Sequence, residues 1–109
     1  MADTDAIVVF MTAANGEEAT RLAEMLVGAH LAACVQILPE MESVYRWQGK
    51  VERQSEILLL AKTTRAKFDD LEREVRALHS YDTPEIIAVP VVIGSGPYLH
   101  WLRDVNSAS

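Results

Sequence analysis

Of 109 residues only Cys34 is a cysteine, which excludes an internal disulfide and a thiolate zinc cage and favours a reducing, cytosolic setting. Basic residues are scarce too. Ten Lys and Arg stand against sixteen Asp and Glu, a net charge of -6, and nowhere do they form a run. Nucleic-acid affinity comes from clustered Lys and Arg on phosphates, so no nucleic-acid partner is expected and a cationic one is favoured. The apolar runs fall far short of the roughly 20 residues that cross a bilayer, and the opening MADTDAIVVF lacks the basic n-region of a signal peptide. A soluble, cytoplasmic protein with no membrane partner is therefore expected. No linker, repeat or low-complexity stretch interrupts the chain, so residues 1–109 are expected to form one domain.

Half of the residues are apolar, enough for a core, but a domain this small buries only about 60–70% of its unfolded surface and gains by associating. AIVVFM (6–11) is β-branched and aromatic and runs into TAANG, which predicts a buried strand ending in a turn. In the stretch 17–32, Ala19, Leu22, Ala23, Leu26 and Val27 recur at the three-and-four spacing of a helix, with Glu17 and Glu18 at its favourable end. AACVQIL (32–38) alternates Ala33, Val35 and Ile37 with Cys34, Gln36 and Leu38 and stops at Pro39, as a strand with two useful faces.

SVYRWQGKVERQSEILLLAK (43–62) has Gly49 between two extended halves and predicts a long hairpin. Such an arm is marginal alone and is expected to lie against something, such as another subunit. Thr63 and Thr64 are placed to cap a second helix with Phe68, Leu71, Val75 and Leu78 as its apolar stripe. EIIAVPVVI (85–93) makes a fourth strand, which Pro90 assigns to a sheet edge or a bulge. Pro97 then opens a short terminal helix.

The order β-α-β-β-α-β plus a C-terminal helix is that of the α+β, ferredoxin-like (split βαβ) fold, an antiparallel sheet with both helices on one face. Two helices cover one side only, yet CVQIL and EILLLA place apolar residues at consecutive positions. Both faces therefore call for burial, and self-association through the open one is expected.

Residues that carry chemistry concentrate in HSYDTPE (79–85). His30, His79 and His100 lie in different elements and form no HxxH or HExxH spacing, so no preformed zinc motif exists. His79 stands apart because Asp82 and Glu85 follow it in an irregular stretch, and imidazole with carboxylate suits a borderline ion such as copper or zinc. A helix-ending turn, with Asp82 bonding nearby N–H groups, is the alternative. Glu85 opens an apolar strand, where a carboxylate is exposed, paired or at a site, and Lys62 is a candidate partner. Cys34 is a nucleophile only if a base such as His79 lies in reach, and otherwise a small packed residue. Trp47 and Trp101 are candidates for interface anchors or for the core. Gly94, Gly96 and QGK match neither the P-loop nor the GxGxxG pattern, which sets nucleotide binding by those loops aside.

Taken together, TAA, LAACVQILP, SVYRWQGKVE, ILLLAKTT and HSYDTPEIIAVPVVIGSGPYLHWL resemble, in order and spacing, the signature blocks of the CutA divalent-cation tolerance proteins, from the first strand to Leu102. The resemblance implies a ferredoxin-like subunit in a compact homotrimer, a cytoplasmic location in bacteria, and a non-enzymatic role in tolerance of Cu(II) or another divalent cation. It also implies sheets packed together, hairpins reaching onto neighbours, and a cleft involving Cys34, Trp47, Lys62, His79, Tyr81 and Glu85. In that cleft His79 is the leading copper ligand and Glu85 a helping carboxylate. The architecture resembles the PII signal proteins as well, which implies as an alternative a small anionic effector held between subunits near Lys62, Trp47 and Tyr81. Two positions depart from copper-binding bacterial members: Met11 stands where they carry Cys, and Leu78 where they carry His. Met11 offers a soft thioether in exchange, suited to Cu(I).

Overall fold

In the computed structural model, which describes residues 5–107, the elements follow as β1 (Ala6–Ala13), α1 (Gly16–Gly28), β2 (Cys34–Trp47), β3 (Lys50–Thr64), α2 (Phe68–Leu78), β4 (Ile86–Pro90) and α3 (Gly96–Ser107), with a 3₁₀ turn at Arg65–Lys67 ahead of α2. The strands form one antiparallel sheet in the order β2-β3-β1-β4. This is the ferredoxin-like arrangement, with Pro90 on an edge strand, where its missing N–H is tolerated.

Alternation decides which side chains meet the helices. Ile7, Val9, Met11 and Ala13 of β1 and Leu59 and Ala61 of β3 pack with Leu22, Leu26, Leu71 and Val75 in the main core. Met11, expected as a thioether donor, is fully buried there. The opposite face carries Val8, Phe10, Leu38, Leu58, Leu60, Ile87 and Val89, neighbours in the strand register. None of these is buried, and Ile87 is 57% exposed. α3 covers one end of this face, seating Leu99 and Leu102 against Ala6 and Ala33. Among the described residues no helix is long and apolar enough to cross a membrane.

Three local readings of the sequence give way. β2 does not stop at Pro39: the register shifts between Leu38 and Met41, and this bulge takes up the proline, which has no N–H for the ladder. The 32–38 strand and the first half of the hairpin are thus one strand. The arm turns at Gln48 (φ 51°) and Gly49 (φ 81°), the left-handed pair that a two-residue hairpin loop requires. α1 holds its whole apolar pattern but ends at Gly28, short of the 17–32 stretch, because His30 takes φ 59° and the N–H groups of Leu31 and Ala32 turn back to the Leu26 carbonyl. Thr64 makes no side-chain cap ahead of α2. Thr63 is instead a buried tie, its hydroxyl donating to the Leu31 carbonyl at 2.8 Å and accepting from Asn106 Nδ2 at 2.8 Å.

Candidate functional site

The site grows from the start of α1. Asn15 Oδ1 accepts the Glu18 N–H at 2.9 Å, and Glu18 Oε1 accepts the Ala14 N–H at 2.9 Å, a relative of the capping box. The second oxygen of Glu18 accepts the Ser80 N–H at 2.7 Å, so a helix-start residue anchors the loop that follows α2. Burial pushes the Glu18 carboxyl up, but the Ala14 and Ser80 N–H donors outweigh burial and hold it below the usual carboxylate value.

His79 is the next link. Its N–H closes α2 onto the Val75 carbonyl at 2.9 Å, and its side chain is fully enclosed. Nδ1 accepts the Tyr81 N–H at 3.0 Å and so carries no proton. Nε2, 2.7 Å from the Thr12 carbonyl oxygen, must then be the protonated nitrogen and donates to it. Glu18 Oε2 lies 3.7 Å from Nδ1, beyond hydrogen-bond distance. Both ring nitrogens are thus in use.

Tyr81 carries the chain of contacts onto the arm. Its ring centroid is 4.7 Å from that of His79, and its hydroxyl donates to Glu56 Oε2 at 2.8 Å. Burial, then the bond to Glu56 and its negative charge, push the Tyr81 phenol well up. Between this loop and one face of the arm lies an open groove of about 530 Å³. Alternation along the arm presents Tyr45, Trp47, Gln54 and Glu56 to it, and the loop adds Tyr81, Asp82, Thr83 and Glu85.

Of the six cleft residues expected from the sequence, Trp47, Tyr81 and Glu85 line this groove, and His79 stands behind Tyr81. Cys34 and Lys62 do not join them within one chain. They are cross-strand partners toward the α3 end of the open face, where Lys62 Nζ bonds Gln36 Oε1. The Cys34 thiol there lies beside Tyr98, whose phenol is pushed up by burial first and by that thiol second. The partners of the His79 ring are Thr12 and Tyr81, so no Cys34–His79 pair forms for nucleophilic catalysis.

Glu18, Glu56, Tyr45 and Thr12 escaped the sequence reading. The Asn15-x-x-Glu18 spacing could have flagged the first, and the carboxylate that opens EILLLA the second. Thr12 contributes a backbone carbonyl, which no side-chain pattern reveals. Among the described residues no three His, Cys, Asp or Glu converge to hold a metal ion.

The model of the CutA1 divalent ion tolerance protein family matches residues 7–105. The chain belongs to that family. It is 48% identical over 97 residues to the divalent-cation tolerance protein CutA of Thermus thermophilus, covering 89% of this chain and 94% of that one. It is also 48% identical over 98 residues to the chloroplastic CutA protein of Arabidopsis thaliana, covering 90% of this chain but 54% of the plant protein, and so spans about half that relative's length. The solved structure of the Thermus thermophilus protein superposes with a TM-score of 0.90 at 47% identity, covering 91% of this chain and 96% of that one. The family resemblance read from the sequence blocks is thereby upheld. The PII-like alternative finds no support: the charged residues lining the groove are all acidic, and Lys62 is not among them.

Proposed function

We propose that the chain works as a homotrimer that binds a divalent cation, Cu(II) foremost, without catalysing a reaction, and that the groove beneath the arm is where the cation is held. The observation that carries this is the groove's charge. Its charged residues are Glu56, Asp82 and Glu85, and a concave surface lined by one sign concentrates the opposite one. The family's description as a divalent ion tolerance protein points to the same class of partner.

Association is favoured by the uncovered apolar face around Leu60 and Phe10. Cys34 and Lys62 lie outside the groove of their own chain. Glu85 and Glu56 are the first donors. His79 becomes a ligand once Nδ1 gives up the Tyr81 N–H, and imidazole with carboxylate favours copper over harder ions. The single Cys34 suits a reducing compartment such as the cytoplasm.

The test is a Cu(II) titration of wild type, Glu85→Gln and His79→Ala. Roughly tenfold weaker binding or more in Glu85→Gln is expected for the loss of a ligand. Unchanged affinity in both variants would remove the site assignment.

A further inference from the structure

The groove has walls that a metal ion alone does not require. Three rings, Tyr45, Trp47 and Tyr81, line it beside its three carboxylates. Glu56 is the decisive residue. It is 7% exposed, its Oε2 takes the neutral Tyr81 hydroxyl, and no ion pair reaches it among the described residues. A buried carboxylate without a counter-charge is costly, and the groove is the route by which a cation can reach it.

The rings say what kind of cation. Both tyrosine hydroxyls are tied, Tyr45 to Gln54 Oε1 at 2.7 Å and Tyr81 to Glu56, so the two rings are held in place before any ligand arrives. An alkylated ammonium is attracted to aromatic faces by its charge and fills the space between them with its methyl groups, whereas a hydrated metal ion does only the first. We propose that this groove binds organic cations of the quaternary or alkylated ammonium class, with Glu56 as the counter-charge and Tyr45, Trp47 and Tyr81 as the ring wall. This rests on the groove being the functional site, as in the divalent-cation proposal, and names a second class of cation for it.

The probe is choline chloride, followed by saturation-transfer NMR on its N-methyl protons with the full chain at constant ionic strength. Saturable transfer with a Kd of about 1–10 mM is expected, weakened roughly tenfold in Glu56→Gln. The same loss is expected in Trp47→Leu, a change on the exposed arm that leaves the core intact. The uncharged carbon isostere of choline, with a tert-butyl group for the trimethylammonium, should not compete. Absence of transfer up to about 50 mM, equal competition by the isostere, or unchanged affinity in Glu56→Gln each overturns the assignment. A Cu(II) titration separates the two proposals, because choline binding without copper uptake leaves this one standing and removes the other, and copper uptake without choline binding does the reverse.

Discussion

His79 Nε2 donates to the backbone carbonyl of Thr12 at 2.7 Å, and this one bond ties the loop after α2 to the end of β1. With Nδ1 holding the Tyr81 N–H, the enclosed imidazole fixes where Tyr81 meets Glu56 on the arm. His79→Ala leaves a carbonyl and an N–H without partners in a part-buried place. A loss of about 2–3 kcal/mol is expected, to be read from denaturant unfolding at fixed protein concentration; a change within experimental error would mean that the ring does not hold the loop.

Glu18 makes the same region sensitive to acid. Its carboxyl is held below its ordinary value of 4.5, so its contribution to stability is fully present above that pH and is lost as pH falls through the lower, folded value. Stability of the wild type should drop in that acidic window, and Glu18→Gln, less stable at neutral pH, should show a flatter acid limb. Parallel acid limbs in the two proteins would contradict the assignment.

Tyr81 is the alkaline counterpart. Burial and Glu56 raise its phenol above the ordinary 10.0. The folded state therefore favours the neutral ring, and the stability this gives is lost as pH rises from 10.0 toward the folded value. At pH 10.0 the phenolate absorbance of native wild type and of Tyr81→Phe should coincide, with a difference appearing only after unfolding. A phenolate missing from native Tyr81→Phe at that pH would show that Tyr81 titrates normally.

The open sheet face yields a prediction about assembly. Leu60 pairs with Phe10 on one side and Gln36 on the other, on the face the helices leave bare. Leu60→Asp places a charge in the middle of the proposed contact without touching the helix-covered core. Sedimentation velocity should show a trimer for the wild type and a monomer for Leu60→Asp; equal sedimentation of the two would move the contact elsewhere.

Much of this was legible because the signals were local and periodic. The apolar stripe of α1, the β-branched run of β1, Gly49 at the arm's turn and Pro90 on an edge each follow from residues within one element. What failed depended on partners far along the chain. Pro39 looked like a stop because nothing near it shows the Leu38–Met41 register shift that accommodates it. Thr63 looked like a helix cap, yet its hydroxyl partners, Leu31 and Asn106, come from distant segments. The candidate site divided along the same line. HSYDTPE and the exposed Trp47 could be singled out by their chemistry, while the roles of Glu18, Glu56 and the Thr12 carbonyl arise only when α1, β3 and β1 are brought to the loop.

The most direct measurement is a native mass spectrum of the purified protein, taken bare and with a few equivalents of Cu(II). A trimer that takes up as many as three tightly held copper ions, one for each groove, is the predicted result. A monomer, or a trimer that stays bare under the same conditions, would contradict the proposal that self-association builds a copper site.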